Sequence, residues 1–222
     1  MSAGVQAFRD DSSSVPVRGF LHRPEVLSDR GLVLTHGAGA NSNSSLLIAL
    51  ADSFVIAGFN VLRCDLPFRQ NHSFGPPRPG DAERDREGLR SAVAAIRNLG
   101  CERIFLGGHS YGGRQATMLC AQERDLTLGL LLLSYPLHPP RKPEQLRVQH
   151  LPGLRAQALF VHGTRDPFGS VEEMEAALKM IPAKTQLLTV DGAGHDLGFK
   201  GKSVRQGLAG EVVSAFAGFF AG

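Results

Sequence analysis

The stretch Arg103-Ile104-Phe105-Leu106-Gly107-Gly108-His109-Ser110-Tyr111-Gly112-Gly113-Arg114 decides how the rest of the chain reads. An apolar run enters a turn, and the turn leads straight into GRQATMLCA (residues 113–121), which has helical character. Taken alone, the G-x-S-x-G pattern of residues 108–112 is weak. With 26 Gly and 16 Ser among 222 residues, chance supplies it about 0.2 times per chain. Its setting gives it weight. A serine on a sharp strand-to-helix turn has an exposed hydroxyl, and glycines two places before and after it remove Cβ atoms that would clash. A helix starting at Tyr111 also aims its free N–H groups and positive dipole end at the reacting centre. The competing reading is a plain β–α turn that happens to hold a serine, and the rest of the chain must decide.

Upstream of this turn, Gly31–Thr35 and Asn60–Arg63 read as strands. Ser45–Ala57 and Asp81–Leu99 read as helices, the second stopped by Gly100. Leu66–Gly80, with four prolines, reads as a long loop. Downstream, Tyr111–Ala121, Val171–Met180 and Val204–Phe220 read as helices, and Gly129–Ser134, Ala158–Val161 and Gln186–Val190 as strands. Val5–Arg9 and Val15–Leu21 flank the turn-rich D-D-S-S-S and predict an opening hairpin within residues 1–24, ahead of a core over 25–222. Alternating strands and helices imply an α/β fold: one domain over residues 1–222, a mostly parallel sheet and helices on both faces. The connection Leu137–Gln157 is too short for a lid domain. The closing FAGFFAG is expected to pack into the core rather than to form a dimer patch.

In such sheets the chemistry gathers at the carboxyl ends of the strands, and three further strand ends carry suitable residues. Thr35-His36-Gly37-Ala38-Gly39 follows the first buried strand. Acyl transfer needs two main-chain donors for its oxyanion, one from the residue after the nucleophile (Tyr111) and one from such an earlier loop (Ala38). A dinucleotide fingerprint fails here because position 42 is Ser42, and no P-loop lysine follows. His36 reads as a structural histidine bonding to a neighbouring loop. The second strand end brings Asp166, in HGTRDP (residues 162–167), as the carboxylate that would fix a histidine's tautomer. The third brings His195, Gly-flanked in DGAGHD (residues 191–196), as a mobile base, with Asp191 and Asp196 as rival acids. Nucleophile, acid and base in the order Ser110, Asp166, His195 is the α/β-hydrolase order.

Composition excludes other classes. Hydrophobic residues make up 42% and charged residues 20%, which excludes a disordered chain and a coiled coil. A net charge of +3 with no polybasic run gives no reason to expect nucleic acid. The longest strongly apolar run, Leu128–Leu133, is too short to cross a bilayer, so no membrane partner is expected. Residues 1–11 lack the apolar core of a signal peptide, and three cysteines make an odd count; both lead to the expectation of a reduced, cytoplasmic setting. No H-E-x-x-H or paired-Cys spacing suggests a metal, and a protein partner is not indicated.

From about Gly31 onward the chain resembles the α/β-hydrolases. Within them it resembles the small dienelactone-hydrolase-like branch, and it is similar to the hydrolase-like family that includes the KANSL-type subunit of a histone-acetyltransferase complex. The resemblance is carried by LTHGAG (34–39), DLPFRQNHSFGPP (65–77), GGHSYGGRQATM (107–118), LLLSYPLHPP (131–140), FVHGTRDPFG (160–169) and DGAGHDL (191–197). It implies Ser110 as nucleophile, Asp166 as acid, His195 as base, Ala38 and Tyr111 as oxyanion donors, and no cofactor. Dienelactone hydrolases carry Cys at the elbow where this chain has Ser110, so their lactone chemistry is not implied.

The expected activity is that of a serine hydrolase cleaving a small carboxylic ester or thioester through an acyl-enzyme on Ser110. The alternative is a non-enzymatic protein-interaction module on the same scaffold. Arg69 and Arg114, with Arg78, are candidate contacts for an anionic or strongly polar acyl group. For Arg114 the competing expectation is an ion pair with Asp65.

Overall fold

Strands buried on both faces need apolar side chains at successive positions, and this chain supplies them: Leu32, Val33, Leu34 and then Leu130 to Leu133 are fully buried. The computed structural model describes residues 4–199 and 207–221. Its strands are β1 (Val5–Asp10), β2 (Val17–His22), β3 (Arg30–Thr35), β4 (Asn60–Cys64), β5 (Arg103–His109), β6 (Gly129–Leu133), β7 (Gln157–Gly163) and β8 (Thr185–Val190). Its helices are α1 (Ser45–Ile56), α2 (Pro67–Asn71), α3 (Asp81–Asn98), α4 (Tyr111–Gln122), α5 (Val171–Leu178) and α6 (Leu208–Phe220). The strands form one sheet in the order β1-β2-β4-β3-β5-β6-β7-β8. β1 pairs antiparallel with β2, and β2 antiparallel with β4; every other pairing is parallel.

Side-chain alternation divides the interior into two layers. Val33, Leu130 and Leu132 face a core shared with Leu89, Val93 and Ile96 of α3, Leu119 of α4 and Met174 of α5. Leu32, Leu34, Leu131 and Leu133 face the other core, with Leu47, Leu50 and Phe54 of α1 and Val212, Phe216 and Phe219 of α6. The closing aromatic segment is core, as expected: Phe216 meets Phe54 and Phe105 edge-on at 5.0 and 4.9 Å.

The registers bring the four chemically interesting strand ends together. Thr35 lies opposite both Cys64 and Gly108, so the loop after β3 leaves the sheet beside the serine turn. His109 lies opposite Leu133, and Gly163 opposite Val190, which sets the Asp166 and His195 loops side by side.

Two elements differ from expectation. Leu66–Gly80 is not loop throughout: α2 occupies its first part, with Pro67 at the helix start, where its fixed φ and missing N–H do no harm. A 3-10 turn at Leu151–Gly153 also interrupts the connection to β7. The expected first turn of the last helix, from Val204, lies outside the described residues, and α6 is described from Leu208.

Candidate active site

The serine turn is built by close backbone approach. Ser110 has φ 52° and ψ −116°, a conformation costing a non-glycine residue about 1–3 kcal/mol. A Cβ on Gly108 would lie 2.6 Å from the Gly113 nitrogen, and one on Gly112 would lie 2.5 Å from the His36 carbonyl oxygen. The Ser110 N–H donates to Leu133 at 2.8 Å, and its carbonyl accepts the Arg114 N–H at 3.0 Å, which launches α4.

Ser110 Oγ lies 2.8 Å from Nε2 of His195. Nδ1 of the same ring lies 2.8 and 3.0 Å from the two oxygens of Asp166, whose side chain is fully buried. A carboxylate can only accept, so the proton sits on Nδ1 and the Nε2 lone pair faces the serine hydroxyl. The rivals are engaged elsewhere: Asp191 accepts from Thr164 Oγ1 at 3.4 Å, and Asp196 from the Gly198 N–H at 3.0 Å.

Two residues that sequence reasoning passed over also hold His195. The Phe168 ring stacks on the imidazole at 4.1 Å and 29°, while its N–H donates to Asp166 at 2.9 Å. Nε2 of His109 lies 2.8 Å from the main-chain carbonyl of His195. The first could have been suspected from the sequence, since Phe168 stands two residues after the acid. The second joins residues 86 apart and has no local signal.

On the other side of Ser110 lie Ala38 and Tyr111. As the first residue of α4, Tyr111 has an N–H with no partner inside the helix. The Tyr111 hydroxyl donates to Asp85 at 2.7 Å, and the other Asp85 oxygen accepts the Phe68 N–H at 3.0 Å. Burial raises the Asp85 carboxyl and pushes the Tyr111 phenol up as well. His36 is buried among α2 residues, as expected of a structural histidine. Its Nε2 accepts the Leu66 N–H at 3.1 Å, and desolvation holds its pKa below the usual histidine value.

Ala38, Leu46, Ser110, Phe168, His195 and Phe199 help to line a chamber of about 230 Å³. A second cleft of about 400 Å³, with Arg69, Ser73 and Phe74 on its walls, adjoins it across Gly39 and Ala40. Neither arginine expected at the site is among the residues lining the chamber at Ser110. Arg69 lines only the second cleft, and it directs four N–H groups at the main-chain carbonyls of Ala38, Ala40, His72 and Gly75. Arg114 lines neither space: its charge lies near Tyr135 and His150, where burial, with that charge adding to it, pulls His150 down to about 4. Arg114 makes no ion pair with Asp65 either: its charge lies by Tyr135, Arg147 and His150, whereas Asp65 sits by Ser42 and His36. Arg78 is exposed on the loop before α3. Among the described residues, no helix is long and apolar enough to cross a membrane.

A family model described as an alpha/beta hydrolase domain matches residues 28–219. Among solved structures, the dienelactone hydrolase of Anabaena variabilis superposes with a TM-score of 0.76 at 18% identity, covering 100% of this chain and 98% of that one. Est1E of Butyrivibrio proteoclasticus gives 0.73 at 18% identity, covering 97% and 99%. A lid-less α/β serine hydrolase of Xanthomonas campestris gives 0.70 at 16% identity, covering 95% and 92%. At these identities the structures speak for the fold.

Proposed function

The chain belongs to the alpha/beta hydrolase domain family, and from that premise we propose a serine hydrolase that cleaves small carboxylic esters or thioesters. The observation that carries this reading is the continuous hydrogen-bonded line from Ser110 Oγ through His195 to Asp166. His195 takes the serine proton as the oxygen attacks the carbonyl carbon. Asp166 stabilises the imidazolium, and the N–H groups of Ala38 and Tyr111 receive the oxyanion. The C–O or C–S bond then breaks, and the alcohol or thiol leaves with the proton from His195. Water, deprotonated by the same ring, releases the acid and restores Ser110.

The chamber suggests which acyl groups fit. Its apolar walls include Leu46, Phe168 and Phe199, and neither Arg69 nor Arg114 is among its lining residues. The expected substrates are therefore neutral esters with short aliphatic or single-ring acyl groups. A cytoplasmic setting is part of the proposal, supported by three buried, unbridged cysteines.

A fluorophosphonate probe tests the reading. The native protein is expected to be labelled and Ser110→Ala is not. An ester panel should then favour neutral acyl groups over anionic ones of equal size. Absence of labelling in a folded native protein would overturn the enzyme reading and favour the interaction module.

A further inference from the structure

We infer that Arg69 is a positioning residue: it locks the main chain around Ala38 so that the oxyanion donor is aimed before the substrate arrives. The inference rests on Ser110 acting as the nucleophile. A planar trans peptide carries its C=O and the following N–H on opposite sides, so fixing one fixes the other. Two peptides flank Ala38. The first carries the Ala38 N–H, and its carbonyl, that of Gly37, accepts from Nδ1 of His36 at 2.9 Å and from the Ala40 N–H at 3.1 Å. The Ala38 N–H is thereby turned the other way.

The second peptide is held by Arg69, whose Nη2 donates to the Ala38 carbonyl at 2.8 Å. Nε of the same guanidinium donates to the Ala40 carbonyl at 2.8 Å. Its other contacts, Nη1 to His72 at 3.0 Å and Nη2 to Gly75 at 2.9 Å, anchor it to the loop after α2. Four of the five guanidinium N–H donors end on main-chain oxygens. Arg63 and Asp65 grip the far end of the same loop, through the Ser42 carbonyl and the Ser42 N–H. The segment from Arg63 to Arg69 is thus a cradle for residues 36–42.

A planar fork with five donors suits this task, and a lysine ammonium, with three donors at one point, cannot span the same carbonyls. The charge sits behind the carbonyl ends of the loop, in a residue 9% exposed. Its effect on the reaction passes through the peptide planes and requires no contact with substrate.

The test compares wild type, Arg69→Met and Arg69→Lys on a neutral ester and on a trifluoromethyl ketone, which forms a hemiketal oxyanion on the serine. Arg69→Met should lose about 100-fold in kcat/KM, nearly all of it in kcat, because the donor and not the substrate is displaced. Ketone affinity should fall in proportion, and Arg69→Lys should lie between the two. A merely structural arginine would lower the melting temperature yet leave kcat per folded molecule and ketone affinity unchanged, and that result overturns the inference. If Arg69→Met does not fold, Arg69→Lys with a native near-UV spectrum decides: about a tenfold loss of kcat supports the clamp, and an unchanged kcat removes it. Wild type that fluorophosphonate leaves unlabelled overturns both the nucleophile reading and the clamp. Labelled wild type beside an unimpaired Arg69→Met overturns the clamp alone.

Discussion

The two flanks of Ser110 are built differently. On the donor flank, residues 36–42 are tied down by His36, Arg63, Asp65 and Arg69, three of which are buried. On the base flank, His195 stands on a glycine-bounded loop with its side chain 22% exposed. Its ring meets the Asp166 carboxylate, the Ser110 hydroxyl and the Phe168 and His109 rings, and its carbonyl takes a bond from His109. The contrast suits what each side would do in the proposed reaction. An oxyanion donor is most effective when it need not reorganise as charge appears. In the proposed reaction the base takes a proton from Ser110 and returns it to a leaving group, so it must serve two partners. One flank is therefore gripped at its main chain by long side chains from other elements, whereas the other has its own main-chain ties and guides the His195 ring through that ring's contacts.

Variants can break or sharpen this contrast. Ser110→Ala and His195→Ala remove the proposed nucleophile and base and should each cost about 10⁴- to 10⁶-fold in kcat, read by ester turnover. Asp166→Asn leaves the shape but reverses the tautomer preference of His195, so a loss of about 10³- to 10⁴-fold is expected. A loss below tenfold would mean that the ring is oriented by its other contacts. Phe168→Ala removes the stack while the main-chain N–H to Asp166 remains. About a tenfold fall in kcat with KM little changed is expected, and an unchanged kcat would show that the stack does not guide the base.

The smallest effect concerns stability and lies off the site. His150 sits near Arg114, with Nε2 2.8 Å from Thr117 Oγ1, and its pKa in the fold is about 4. In the unfolded chain it titrates near the ordinary histidine value of 6.5, so the unfolded state binds the extra proton first. Stability from this group is complete above pH 6.5 and is lost as pH falls toward 4. After allowance for partial solvent screening, His150→Gln should remove about 1–2 kcal/mol of that acid sensitivity. Urea melts at pH 7 and pH 4.5 measure it, with turnover at pH 7 unchanged.

Much of this arrangement is local in sequence and could be read there. The serine turn, the glycines around it and the chain order of Ser110, Asp166 and His195 follow from short-range pattern, and the residues do meet. What could not be read is where long side chains spend their hydrogen bonds. Arg69 stands in a polar loop beside the site, which from sequence looks like a hand for an anionic substrate. Counting its donors requires knowing that four carbonyls surround it, and two of these belong to residues some 30 positions earlier. α2 was hidden for a different reason. Four prolines signal a loop, yet the first of them sits where a helix tolerates it. The expected Arg114–Asp65 pair does not form because the two side chains have different neighbourhoods, Arg114 by Tyr135 and His150 and Asp65 by Ser42 and His36.

The three cysteines gain a use from where they sit. Cys64, Cys101 and Cys120 all lie in the core under α3, α4 and α5, and none lies under α1 and α6. Burial pushes the Cys64 and Cys120 thiols up to about 12, so an alkylating reagent meets almost no thiolate in the closed protein. Alkylation then waits for that layer to open, and its rate is a stopwatch for one side of the sheet alone. Set against amide exchange in α1 and α6, it would reveal whether the two layers come apart in one cooperative event or in sequence.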